Sequence, residues 1–231
     1  MSKLARLFVW AGGVMFVAAL AAAAYTYLIR WATPSSHPVH ATAILVDFAL
    51  LTVFATHHSV FARESTKRRM AAVVPAHLSR SVYVWTASLL LIGALTFWQR
   101  VGGDLYAVTG WRALLHAAVQ LSGLWMIARS VARIDALELA GIRQPAAHDA
   151  SQTLQTGGPY RWVRHPLYLG WVLATFGAAH MTADRLTFAV ITAAYLAAAV
   201  PWEERALVRT FGDDYTRYSK RVRWRIVPYV Y

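Results

Sequence analysis

Long apolar runs decide what this chain can become. A helix that crosses a bilayer needs about 20 mostly apolar residues, and such runs occupy Leu7–Ile29, Ala41–Phe61, Ser81–Trp98 and Ala113–Ile127. A further block, Pro166–Trp202, is too long for one crossing and is interrupted by the polar HMTADR, His180 to Arg185. It predicts a helical hairpin with a tight turn. The first arm, Pro166 to Met181, reaches only about 24 Å at 1.5 Å per residue, so it is expected to tilt or to be shielded by its neighbours. Of the 231 residues, 58% are hydrophobic and 15% charged, whereas soluble domains carry about 25% charged residues. The expected fold is all-α: a polytopic integral membrane protein of about six transmembrane helices in one domain, 1–231. Residues 1–131 supply four N-terminal helices, and 132–231 supply a long loop, the hairpin and a C-terminal tail.

The placement of basic residues orients these spans. Of 23 lysines and arginines, only Arg30, Arg100, Arg112 and Arg185 fall on one side, leaving 19 for the termini, the second and fourth connections and the tail. The positive-inside rule then puts both termini in the cytoplasm, with an even number of crossings, and a bacterial inner membrane as the expected location. A net charge of +12 would point to nucleic acid in a soluble protein. Here the cations sit at the ends of apolar runs, where anionic lipid is the plainer partner. The first run is longer than the 7–15 residue core of a cleaved signal, so a retained helix is expected. With no cysteine, disulfides, thiolate metal sites and a cysteine nucleophile are excluded.

The polar mass gathers in one place. The stretch Ala132 to His165 is the longest non-apolar segment, and it falls on the predicted cytoplasmic side. Asp135 and Glu138, three apart, share one face of a helix extension. Gly141 is placed to end that helix, and Pro145 to prevent its continuation. The loop leads into GGPYRWVRHPLYLGW, Gly157 to Trp171. Gly157-Gly158-Pro159 predicts a sharp turn, and Pro166 suits the first position of a helix because proline has no amide hydrogen to leave unsatisfied there. The amides of Leu167, Tyr168 and Leu169 then favour an anion, with Arg161, Arg164 and His165 at the same end. The alternative is that these cations anchor lipid headgroups.

The far end of the hairpin returns to the same side through PWEERALVRTF, with Glu203 and Glu204 at its boundary. Either they pair with arginines, or one takes the hydroxyls or ammonium of a cofactor. An anion-favouring helix entrance and a carboxylate together suit a zwitterionic nucleoside such as S-adenosylmethionine.

GGPYRWVRHPLYLGW, the Glu203-Glu204 pair, FGDDYTRYSKRV and IVP resemble the integral-membrane methyltransferases, which include the isoprenylcysteine carboxyl methyltransferases and phospholipid methyltransferases. The match runs from about Gln152 to Pro228. HHSVFARESTKRRMAAVVP, RSVYVWTASLLLIGALTFWQ and AGIRQ resemble the bacterial methanethiol S-methyltransferases and NnrU-like membrane proteins. The resemblance implies a methyltransferase using S-adenosylmethionine, with S-adenosylhomocysteine as product. Its cofactor contacts fall on Tyr160, on His165, Pro166, Leu167 and Tyr168, and on Glu203 with Glu204. Gln152, Thr153, Leu154 and Gln155 occupy the place where family members wrap backbone around the cofactor. Isoprenylcysteine enzymes carry an arginine four residues before the glutamate, facing the substrate carboxylate; this chain has Ala199, which points to a small or lipophilic acceptor such as a thiol. The alternatives are a carboxyl or lipid-amine methyltransferase, and a non-catalytic NnrU-like membrane factor.

Methyl transfer from a sulfonium is an in-line displacement that needs alignment, dehydration and a deprotonated acceptor. A thiol requires a base or a positive field. His58, at the cytoplasmic end of the second span, and Arg164 are the catalytic candidates, with His57 beside them. Asp47 and His116 lie inside spans, where an ionisable group is either functional or an interhelical hydrogen-bonding partner. No second histidine stands three or four residues from His57 or His58, so no metal is expected.

Overall fold

The computed structural model describes residues 1–34, 38–61, 66, 69, 72–132, 136–143 and 153–231. Its elements run α1 (Lys3–Leu28), α2 (Ala41–Phe61), α3 (Ala76–Thr96), β1 (Asp104–Ala107), α4 (Gly110–Val131) and α5 (Ala136–Leu139). They continue with α6 (Pro166–Phe176), β2 (His180–Thr182), α7 (Ala183–Phe211) and α8 (Asp213–Arg221). Two compact units result: Met1–Asp104, Ile134–Ala147 and Thr182–Asp184 in one, and Leu105–Arg133, His148–Met181 and Arg185–Tyr231 in the other.

Among the described residues, four helices are long and apolar enough to cross a membrane: α1 with its following turn, Lys3–Ala32, and α2, α3 and α7. Their outward residues support that reading, since Leu4, Leu7, Val14, Leu45 and Phe48 are all exposed. A water-soluble chain rarely leaves such contiguous apolar surface uncovered. The described residues are mostly helical, as expected, and include one two-stranded sheet that sequence periodicity did not predict.

In the first unit α3 packs against both α1 and α2. Asp47, suspected from sequence, is fully buried, and its Oδ1 accepts the amide of Gln99 at 2.8 Å. Asp184 is equally buried. Its Oδ1 accepts Trp98 Nε1 at 2.8 Å and the Val101 amide at 3.0 Å, and Arg100 Nε lies 3.2 Å from Oδ2. Both aspartates thus fasten the segment 98–101, which follows the end of α3. Gly141, at φ +73°, ends α5. Its carbonyl accepts Ser81 Oγ at 2.5 Å, and Arg80 Nε donates to Glu138 O at 3.1 Å. Asp135, expected to share a helical face with Glu138, lies outside the described residues.

The second unit is built on a close crossing of α4 and α6. A methyl added to Gly123 would fall 2.5 Å from the Ala174 nitrogen and 2.6 Å from the Gly170 carbonyl, so the two backbones touch where the side chains are absent. Gln120 Nε2 donates to the Ala174 carbonyl at 2.9 Å beside this contact. Small residues permit such approach in a bilayer, where helix association rests on packing rather than on apolar burial.

The hairpin differs from expectation in two ways. Its first arm is shorter: α6 has 11 residues, about 16 Å, because the chain leaves the helix at Gly177 and becomes extended to pair with β1. Its second arm is longer. α7 runs 29 residues through Pro201 to Phe211, about 43 Å. Proline cannot donate to the carbonyl four residues earlier; Tyr231 Oη donates to that carbonyl, of Ala197, at 3.4 Å instead. Trp171 Nε1 donates to Thr192 Oγ1 at 2.9 Å and ties the arms together.

Gly123→Ala is expected to cost about 1–3 kcal/mol through overpacking, lowering the melting temperature of the detergent-solubilised chain by several degrees. Gly93→Ala, where nothing lies within 4 Å of the added carbon, should raise it slightly through helix propensity.

Candidate functional site: the entrance of α6

The entrance is set by its turn formers. Gly158 adopts φ +61° and opens the short 3-10 turn Gly158–Arg161, within which Pro159 is buried. Val163 is completely buried among Met126, Leu169, Val200 and Ile226. The chain bends at Arg164, and His165, at φ −121° and ψ 69°, stays out of the helical region, as the residue before a proline prefers. Their amides donate to the carbonyls of Trp224 at 2.9 Å and Arg225 at 2.8 Å, so the tail pairs with the entrance. Pro166 occupies the first helical position, as predicted. The expected ring of open amides is smaller than sequence implied. Tyr168 and Leu169 both donate to the His165 carbonyl, at 3.0 and 3.1 Å, which closes the first turn.

Two carboxylates from α7 meet this entrance. They lie inside the continuous helix rather than at its boundary, and neighbouring residues of a helix point about 100° apart. Glu204 is turned inward. Arg164 Nε stands 2.9 Å from its Oε1, Arg225 Nε 3.2 Å from its Oε2, and only 13% of its side chain is exposed. Glu203 accepts the hydroxyl of Tyr168 and retains 44% exposure. The buried ring of His165 sits between them, Nδ1 3.4 Å from Glu203 and Nε2 3.5 Å from Glu204, and it stacks on Tyr168 with centroids 5.4 Å apart.

A second cluster lies behind. Gly212 turns the chain into α8, whose Tyr215 and Tyr218 are buried with Val222 against Leu154, Tyr160, Leu207 and Phe211. Tyr218 Oη donates to the Tyr160 carbonyl at 2.8 Å. Burial, then the neighbouring Tyr160, push the Tyr218 phenol up to about 12. Burial and the charge of Glu204 also raise Tyr215 above its ordinary value.

The phospholipid methyltransferase family matches residues 111–214, which take in α4, the entrance, α6 and α7. Methanethiol S-methyltransferase 2 of Bradyrhizobium diazoefficiens is 38% identical over 186 residues, covering 78% of this chain and 71% of that protein. The chain belongs to the methanethiol S-methyltransferase family. A Mycobacterium tuberculosis methanethiol S-methyltransferase is 37% identical over 190 residues, 78% of this chain and 76% of its own length. Protein-S-isoprenylcysteine O-methyltransferase of Xenopus laevis is 35% identical over a shorter stretch of 75 residues, 31% of this chain and 26% of that protein. No solved structure matches.

This member of the methanethiol S-methyltransferase family is a methyltransferase, and most residues marked in its sequence converge in the second unit. Arg164, His165, Tyr168, Glu203 and Glu204 form one contact set. Pro166 is buried and Leu167 half-buried beside them in the first turn. Tyr160 and Leu154 join the α8 cluster instead, while Thr153 is exposed and Gln155 half-buried. Gln152 lies outside the described residues. His58 belongs to the first unit, where its Nδ1 meets Tyr83 Oη at 2.8 Å. His57 packs on Phe61 at 4.4 Å, with neither ring nitrogen hydrogen-bonded among the described residues, and His116 lies 5.6 Å from the ring of Tyr106. Arg225, which pairs with Glu204, and Tyr215, in the α8 cluster behind it, were not foreseen from the sequence. Their signal was the Tyr-x-x-Tyr spacing on α8 and an arginine two residues before the tail's VP.

Glu204→Gln leaves two arginines without their carboxylate and is expected to destabilise the chain by about 3 kcal/mol, read by thermal unfolding, with Glu203→Gln much milder. A phenol whose ionisation is raised on folding stabilises the fold fully below its ordinary value, near 10, and that contribution is lost as pH climbs towards about 12. Tyr218→Phe should therefore flatten the loss of stability between pH 10 and 12, followed with tyrosinate absorbance.

Proposed function

We propose that this chain transfers a methyl group from S-adenosylmethionine to a small thiol, methanethiol among them. The observation that carries the reading is the division of the two adjacent glutamates. Glu204 is committed to Arg164 and Arg225, while Glu203 stays half-exposed at the entrance with Tyr168 fixing its orientation. That donor set fits the cofactor: a carboxylate open to solvent suits a cationic, hydroxylated ligand, and the stacked rings of His165 and Tyr168 offer π faces to a cation.

Glu203, Tyr168, His165, Pro166, Leu167 and Tyr160 are the residues proposed to hold the cofactor, with the backbone of 152–155 around it. When bound, S-adenosylmethionine supplies an electrophilic methyl on a sulfonium. Glu204 with Arg164 holds the entrance at fixed geometry, which is where alignment contributes. For the acceptor proton the reading keeps His58 as base and Arg164 as positive field. Ala199 contributes no cation to the site, in keeping with an acceptor that carries no carboxylate. The names of the relatives support the thiol.

The same reading takes the chain as one membrane domain of six crossings, with α4 and α6 counted beside the four longer spans. Both termini and the entrance face the cytoplasm of a bacterial inner membrane. The distribution of basic residues supports this orientation.

Purified protein offered labelled S-adenosylmethionine with methanethiol, longer thiols, a prenylcysteine and phosphatidylethanolamine should methylate the thiols alone. Glu203→Gln is expected to lower that rate about 100-fold and to weaken S-adenosylhomocysteine binding in calorimetry. Unchanged rate and binding would show the cofactor to be held elsewhere.

A further inference from the structure

A cavity of about 370 Å³ lies against the face of α7 that carries Glu204. Pro201, Glu204, Arg205 and Val208 stand at helical spacings of three, one and three, so they line one face; Glu203 belongs to the next. Opposite them are Arg164, Arg225, Ser219 and Tyr215. Three guanidiniums against one carboxylate leave the recess strongly cationic. Glu204 engages Arg164 and Arg225. Arg205 gives its Nε to the Pro201 carbonyl at 3.0 Å and lies over the ring of Trp202, 5.5 Å from its centroid. Its terminal nitrogens have no hydrogen-bond partner among the described residues.

The second observation is Tyr215. Only 3% of it is exposed, and among the described residues its hydroxyl makes no well-formed hydrogen bond, with only a weak interaction towards the nearby Glu204 carboxylate. A buried hydroxyl left unsatisfied is unfavourable by about 1–3 kcal/mol, so a donor this poorly partnered is a place where a ligand oxygen is readily accepted. Arginine forks and a phenol are the donors that a phosphate oxyanion takes.

Depth identifies the source. Trp202 is 53% exposed on a membrane-crossing helix, and a tryptophan there marks the headgroup level. Arg205 stacks on it, and the cavity spans the turn on either side. The volume, roughly a dozen waters, exceeds what a bare phosphate fills and leaves room for headgroup atoms.

We propose that the recess formed by Arg164, Arg205, Arg225 and Tyr215 binds a phosphate group presented by an anionic lipid of the adjacent leaflet. It is a lipid site on a face of α7 distinct from that of Glu203.

The test uses the full chain in detergent, with native mass spectrometry for bound lipid and thermal unfolding for its effect. Phosphatidylglycerol should remain bound and raise the melting temperature by several degrees, and phosphatidylcholine should not. Tyr215→Phe, which keeps the ring, and Arg205→Gln, at an exposed position, should each reduce retained phosphatidylglycerol at least fivefold. Arg205→Lys should restore part of it, and S-adenosylhomocysteine binding should be unchanged throughout. Wild-type lipid retention in both variants overturns the proposal. So does equal protection by inorganic phosphate at the same concentration, which would make the source a free ion. Loss of S-adenosylhomocysteine binding with lipid retention intact would assign the recess to the cofactor.

Discussion

The second unit depends on a carboxylate held between two guanidiniums. Glu204 comes from α7, Arg164 from the segment entering α6, and Arg225 from the tail, so one charged contact joins three stretches distant in sequence. An isolated carboxylate at 13% exposure would be strongly unfavourable, and two cations with directed N–H groups offset that desolvation. The amides of Arg164 and His165 add backbone bonds to the same tail residues. Backbone and charge therefore specify one register between the entrance and the tail.

Because Glu204 is occupied in this way, its neighbour has a different part. A helix turns about 100° per residue, and Glu203 emerges towards Tyr168 and His165 with its surface accessible. One acid of the pair is locked into the frame, while its neighbour keeps nearly half its surface in contact with solvent. A charge on the open acid can meet a ligand without loosening the frame, since the frame is tied by the other.

Much of this was legible in the sequence. α2 covers the predicted Ala41–Phe61, and Pro166 begins α6 where its missing amide allows. Gly141 and Gly158 take the positive φ that made them stand out as punctuation. What escaped was long-range. The early end of α6 follows from strand pairing with residues some 75 positions earlier. The passage of α7 through Pro201 depends on a hydroxyl from Tyr231. Neither leaves a local periodicity to read. For Asp47 the sequence left a functional role and a hydrogen-bonding one open; its partner, the amide of Gln99, is a long-range contact of the same kind. Periodicity reports which face is apolar, and partners are a matter of tertiary structure.

The length of α7 has a mechanical corollary. About 43 Å of continuous helix exceeds the roughly 30 Å of hydrocarbon in a bilayer, so a crossing made with the apolar part of α7 would leave the end that bears both acids projecting beyond the lipid. Where the bilayer thins, a rod of fixed length leans further, and its tip sweeps sideways in proportion. Lipid thickness is thereby converted into a displacement of Glu203, and the composition of the surrounding leaflet becomes a physical input to the geometry of the entrance.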